Sequence, residues 1–341
     1  ALRHRDGDTV ADADLASELA GLDAVLAAEL VRAFSAYFSV VNTAERVHRI
    51  RRRRHHLRDP AVPQQGSLAA VLRALADRGV GLAQVRGILS QTHLVPVFTA
   101  HPTKATRRTI LAKQQRIARA LLDRVERPSM TPDEERAVIA RLRTEVELMW
   151  QTEEHPAVRP TVADEVEYVL FYLVEVVYRV IPAFYGSLET ALEKAYGEDA
   201  GEVLRYPLMR FGSWVGGDMD GNPNVGPGTI LATLDRQRQL VIDRYRAEVR
   251  RLFDHLSQSL SRVEVDPRIH DRCQSYRDRL PHVDSPARYD DMPYRVLLWL
   301  VWERLDATRR DAPQGYASAT GLMDDLDLVA ESLRTLRGGG A

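Results

Sequence analysis

The stretch "LVPVFTAHPTKATRRTI", residues 94–110, decides how the chain is read. Leu94, Val95, Val97 and Phe98 make a short β-rich apolar run, about the length of a buried strand. Pro102 disfavours helical geometry at the residue before it, so His101 belongs to the strand exit. Thr103 reads as an N-cap, and Ile110, Leu111, Ile117, Ala118, Leu121, Leu122 and Val125 then recur at helical spacing. The reading is strand, histidine-bearing loop, helix.

A second unit of this kind is "LMRFGSWVGGDMDGNPNV", residues 208–225. Met209, Phe211, Trp214 and Val215 predict a strand, broken by a glycine-rich acidic loop that runs into a helix over 229–262. Two such units, each with polar residues at the strand exit, suggest pieces of a βα barrel. In that fold functional groups gather at the C-terminal ends of the strands.

Elsewhere the pattern is helical. One or two long helices are expected over 12–55, with Leu15, Leu19, Leu22, Val25, Leu26, Leu30 and Phe34 as a core stripe. Shorter helices are expected over 67–78 and 82–91. Another lies near 133–152, and a long one follows Thr161 with Pro182 as a kink. In the 229–262 helix, Leu231, Leu234, Leu240, Val241, Tyr245, Val249 and Leu252 are expected to face inward. Two further helices are expected near 294–309 and 318–336. The fold class is therefore mainly α: a helix-rich N-terminal part of an α/β, TIM-type barrel with only two evident strands. The expected division is a helical region over 1–92, then the two strand–loop–helix units with long helical insertions over 93–341.

Composition excludes some functions. The 341 residues carry 47 basic and 48 acidic side chains, and that balance argues against a dedicated nucleic-acid binder. Cys273 is the one cysteine, so no internal disulfide forms and a structural zinc site is not expected. No metal ligand is assigned. The most apolar window, "VEYVLFYLVEVVYRVIPAF", contains Glu167, Glu175 and Arg179 and reads as a buried helix, not a membrane span. No signal peptide is visible, and a reducing, cytoplasmic setting is the default expectation.

Three motifs carry candidate chemistry. His101, beside a cation pair, suits proton transfer or oxyanion stabilisation next to a phosphate, although a lone histidine also serves as an ordinary core or helix-start residue. Arg107 and Arg108 suit phosphate or carboxylate through their planar forks, or they decorate a solvated face. They lie ~100° apart on a helix and cannot share one narrow face. In the glycine-rich loop, Gly216, Gly217, Asp218, Asp220 and Asn222 are candidates for a loop against a ligand. Its register is not that of an EF-hand, because Gly221 is fourth and Thr229 twelfth where glycine is needed sixth and glutamate twelfth. The basic run "NTAERVHRIRRRRHH", residues 42–56, places Asn42, Glu45 and Arg49 on one helix face as a polar, partner-facing stripe.

"FTAHPTKATRRTI" resembles the first active-site signature of the phosphoenolpyruvate carboxylase family. "FGSWVGGDMDGNPNV" resembles its second strand motif, and "NTAERVHRIRRRR", "PYRVLLWLVWERL" and "YASATGLMDDLDLVAESL" are similar to its helical stretches, in order and nearly end to end. The resemblance implies an α/β barrel wrapped in helices. It also implies an enzyme that joins bicarbonate to phosphoenolpyruvate through carboxyphosphate and the enolate of pyruvate, giving oxaloacetate and phosphate with Mg²⁺ or Mn²⁺. His101 matches the family's catalytic histidine. Arg107 and Arg108 match a basic pair associated with a sugar-phosphate activator near a subunit contact. Family members form homo-oligomers, tetramers as a rule, with neither nucleic acid nor membrane as partner.

Lys104, Met219 and Met292 depart from the signatures and put effector response in question more than reaction class. The family's later glycine-rich loop, metal-binding carboxylates and catalytic lysine have no counterpart here. The chain, which starts without Met and stops in "RGGGA", is thus expected to be the N-terminal two-fifths of a carboxylase, inactive alone, with its metal ligands in the missing C-terminal part. The alternative is a stand-alone helical regulatory protein that binds a sugar phosphate or another anion without catalysis.

Overall fold

The computed structural model describes residues 17, 19–58, 63–99, 107–127, 129–153, 160–197, 207–220, 222–283 and 285–338. Helix dominates it, at 73% against 2% strand, as the mainly α reading requires. In chain order come α1 (Ala24–Arg58), α2 (Leu68–Asp77), α3 (Leu82–Gln91), β1 (Val97–Phe98), α4 (Arg108–Glu126) and α5 (Pro132–Trp150). Next, α6 (Val162–Tyr172) continues through a π-helical turn (Leu173–Val177) into α7 (Tyr178–Tyr196). Then come β2 (Gly212–Ser213), α8 (Pro227–His255), α9 (Pro267–Arg279), α10 (Pro293–Arg309) and α11 (Ala319–Gly338).

Local chemistry explains several starts. Thr131 accepts the Glu134 N–H at 3.3 Å while Glu134 accepts the Thr131 N–H at 2.8 Å; with Pro132 in the first helical position this fixes the entry to α5. Asp266 accepts the Arg268 N–H at 2.9 Å ahead of Pro267 and so caps α9. The α4 helix begins later than expected. Arg107 holds its N-cap position, without a side-chain cap, and Thr103 lies outside the described residues. Pro182 sits inside α7, and the irregular turn precedes it at Leu173–Val177.

The chain divides into two compact units. The first comprises Ala1–Val95, Ala100–Thr161 and Phe184–Arg210. Its cores are the cluster of Ala36, Val40, Ile110, Ile117, Leu142 and Met149, and that of Leu72, Val85, Leu188, Leu192 and Leu208. The second comprises Pro96–Thr99, Val162–Ala183 and Phe211–Ala341. Its core gathers Phe253, Ile269, Tyr276, Tyr294, Leu297 and Val301 from α8, α9 and α10, with Leu322 and Leu328 from α11.

Four burial expectations are corrected. The α1 stripe is not core: Leu19, Val25, Leu26, Leu30 and Phe34 are exposed. The face that packs instead is the one bearing Ala36, Val40, Thr43 and Val47; Leu15 lies outside the described residues. On α8, Leu231 and Leu234 are exposed, while Ile242, Val249 and Phe253 are buried. Both helices are apolar on two faces, and spacing alone does not say which face a neighbour covers. The β1 run is not buried either, since Leu94, Val95 and Val97 are exposed. The apolar window within Val162–Tyr196 is only 11% buried. One face, with Val166, Val169 and Leu170, packs on Val215, while Val176 and Val180 are exposed. This stretch and Ala24–Arg58 are each long and apolar enough to cross a membrane. The former, however, carries an ion pair to another helix, Glu167–Arg236 at 2.6 Å, and a second, Glu175–Arg179, on itself.

Candidate functional site

In the second unit, β2 lies parallel to β1 in the register Val97↔Gly212 and Phe98↔Ser213. The Gly212 and Trp214 N–H groups donate to the Pro96 and Phe98 carbonyls at 3.0 and 2.9 Å. The chain then folds back sharply. The Gly217 and Asp218 N–H groups both donate to the Trp214 carbonyl, at 3.0 and 2.9 Å. Gly216 makes this turn with φ +77, and its space is closed: a Cβ there would sit 2.4 Å from Thr233 Oγ1 and 2.6 Å from Val166 Cγ2. Thr233 is itself buried and donates to the Thr229 carbonyl at 2.8 Å, so the strand exit is pressed onto the first turns of α8.

Beyond the turn, two short side-chain loops hold the acidic segment. Asp218 Oδ1 accepts the Asp220 N–H at 3.0 Å, and Asn222 Oδ1 accepts the Asn224 N–H at 3.1 Å. Asp218, Asp220 and Met219 remain exposed, and Gly221 is outside the described residues. The Asp218 carboxylate and the Asn222 amide oxygen thus hold the loop through local hydrogen bonds. Among the described residues no group of three or more His, Cys, Asp or Glu side chains could hold a metal ion.

A cavity of about 500 Å³ opens beside this turn, lined among others by Leu173, Tyr178, Phe211, Gly216, Thr233 and Arg244. The Arg244 guanidinium lies 4.9 Å from the Tyr178 ring centroid and pairs with Glu248 at 3.3 Å. Burial pushes the Tyr178 hydroxyl above its ordinary range. This cavity is not legible in the sequence, because its walls come from segments far apart in the chain and one of them is the π-helical turn.

In the first unit, Arg107 is half-buried and Arg108 exposed at the start of α4, whose first turn carries no acidic residue. The Arg107 carbonyl accepts the Ile110 N–H at 3.0 Å, and buried Ile110 anchors the turn from behind. Exposed N–H groups, the helix dipole and the two guanidinium groups make this end attractive to an anion. His101 and Lys104 lie outside the described residues. The expected polar stripe on α1 is present in part, as an exposed Glu45–Arg49 pair at 2.6 Å. Met292 occupies the N-cap position of α10.

The profile of the phosphoenolpyruvate carboxylase family matches residues 1–339. The chain is 46% identical over 342 residues to the phosphoenolpyruvate carboxylase of Xanthomonas oryzae, covering 99% of this chain and 37% of that protein. It is 35% identical to the phosphoenolpyruvate carboxylase of Nitrosomonas europaea (98% and 36%) and 34% identical to that of Roseiflexus castenholzii (95% and 36%). The chain thus spans little more than a third of the length of the curated relatives it matches.

Proposed function

The chain belongs to the phosphoenolpyruvate carboxylase family, and from that premise we propose that it is the N-terminal portion of an enzyme that joins bicarbonate to phosphoenolpyruvate, giving oxaloacetate and phosphate. The observation that carries the reading is the 46% identity sustained over 99% of the chain, which takes in both strand exits. In this reading β1 and β2 are neighbouring strands of a barrel completed by later segments. Their parallel pairing, and the exposure of an apolar run in β1, support it. The loop from Gly216 to Asn222 lies at a strand exit, where such a fold places its chemistry.

His101 handles the proton of the carboxyphosphate formed when bicarbonate takes the phosphoryl group. Arg107 and Arg108 receive the phosphate of a sugar-phosphate activator at the start of α4. The divalent cation used in the family, Mg²⁺ or Mn²⁺, does not fit the described residues, because no group of three or more His, Cys, Asp or Glu side chains among them could hold it. Its ligands belong to the rest of the polypeptide. Assembly into a homo-oligomer and a reducing, cytoplasmic setting belong to the same proposal. The only cysteine, Cys273, is buried, with its thiol pushed up to about 12 by desolvation, which suits an inert core residue.

The test is oxaloacetate formation by the complete polypeptide in a coupled assay. It is expected to depend on bicarbonate and to fall ~10²–10⁴-fold in His101→Asn, the usual contribution of an acid–base group. Arg107→Gln and Arg108→Gln are expected to blunt activation by glucose 6-phosphate while basal turnover falls much less. Wild-type activity without bicarbonate, or full activity in His101→Asn, contradicts the reading.

A further inference from the structure

The α1 helix is apolar on two sides, and the described residues cover only one of them. Ala36, Val40, Thr43 and Val47 face α4 and α5. Leu26, Leu30, Val31, Phe34, Tyr37, Phe38 and Val41 fall within an arc of about 140° on the other side, at ~100° per residue. All seven are exposed, with Phe34 at 52%, Tyr37 at 61% and Phe38 at 54%. The ring centroids of Phe34 and Phe38 are 6.2 Å apart, and those of Tyr37 and Phe38 5.5 Å, so the aromatics form one continuous surface. A solvated helix has no physical reason to carry such a face, and a contiguous exposed patch of this kind marks an interface.

A hollow of about 420 Å³ runs along the edge of this face, lined by Val31, Phe34, Phe38, Asn42, Arg46 and Gln114 among others. Its floor is polar: Gln114 Nε2 donates to Ser39 Oγ at 2.7 Å. Arg46 brings a cation to its lining. The geometry therefore asks for an apolar side chain to enter between the rings and an acidic or carbonyl oxygen to meet the arginine.

We propose that this face is the docking surface for a later segment of the same polypeptide, an amphipathic helix bearing apolar residues and an acceptor oxygen at its edge. The proposal rests on the carboxylase reading. What favours this occupant is length: relatives that match 99% of this chain extend over nearly three times as many residues, so most of their polypeptide is available to cover it. A second copy of the chain is the competing occupant.

The test places a photoreactive benzoylphenylalanine at Phe38 in the complete polypeptide and maps the adduct by mass spectrometry after irradiation. The expected product has the mass of a single chain, with position 38 joined to a peptide beyond residue 341. An adduct of twice the chain mass, an adduct to a peptide within residues 1–341, or no adduct at all overturns the proposal. Arg46→Ala, with the probe still at Phe38, is expected to reduce the adduct yield at least about twofold; an unchanged yield removes the arginine from the contact. Oxaloacetate formation by the unmodified polypeptide is assayed alongside, so that loss of the carboxylase reading and loss of this contact are separate results.

Discussion

The α1 and α10 helices use much the same ingredients and end in opposite states. Each is long, rich in aliphatic and aromatic residues, and apolar on more than one face. Of the 17 residues of α10, ten are buried, with Tyr294, Leu297 and Leu300 wholly inaccessible. Of the 35 residues of α1, two are buried, Thr43 and Val47. The difference lies in what surrounds them. The neighbours of α10, namely α8, α9 and α11, all lie in the second unit and close around it. The neighbours of α1 are α4 and α5, and both lie on one side. An apolar pattern reports that a face will be covered, but it does not report by which part of the polypeptide.

The largest expected effect sharpens this contrast. Leu297→Ala should destabilise the second unit by ~2–5 kcal/mol, the range for a large-to-small change at a fully buried site. Phe34→Ala in the 341-residue chain should change stability by less than about 0.5 kcal/mol, because its ring is already in water. Urea unfolding followed by tryptophan fluorescence measures both, since Trp299 and Trp302 lie in the second unit and Trp150 in the first. Equal losses in the two variants would break the comparison.

A smaller effect is expected at the strand exit. Gly216→Ala places a methyl group against Thr233 and Val166 and forces φ +77 on a residue that resists it, at a cost of ~1–3 kcal/mol. Gly217→Ala, where the nearest atom is 3.9 Å away, should cost less. If the two glycines prove equivalent by urea midpoint, the turn is not the constrained element described.

The smallest effect concerns Glu303 on α10. Burial raises its carboxyl above the ordinary value, and Asp306 adds to the shift. An acid with a raised folded-state pKa contributes fully below its unfolded value, and that contribution is lost as pH rises through the folded one. Glu303→Gln should therefore stabilise the chain slightly at neutral pH and have no effect near about pH 4. Thermal melts at the two pH values read this directly, and stabilisation of equal size at both would exclude titration as the cause.

How much of this was legible in the sequence differs by element. The helices near 67–78, 82–91, 133–152 and 294–309 appear within a few residues of their expected places, because Ser67, Thr131 and Pro293 mark their starts. The parallel strand pair was legible as two apolar runs with polar exits. The turn at Gly216 was legible as a glycine needed for close backbone approach, but its contacts with Thr233 and Val166 were not, since those residues are 17 and 50 positions away. The inward face of α8 was misread because Leu231 and Leu234 lie on an apolar side that nothing described covers. The cavity beside Tyr178 and Arg244 was invisible, because a π-helical turn has no spacing signature. The α4 helix was legible from its apolar spacing, with its start falling at Arg108 and not directly after Thr103.

The α10 core closes within the described residues, whereas the outer face of α1 is covered, on the proposal above, by a later part of a longer polypeptide. Amide hydrogen exchange, measured in parallel on residues 1–341 and on the complete polypeptide, tests it most directly. The amides of Leu297–Leu305 are expected to be protected alike in both, and those of Leu30–Val41 to exchange at least about tenfold more slowly in the complete polypeptide. Exchange of Leu30–Val41 at the same rate in both would contradict it.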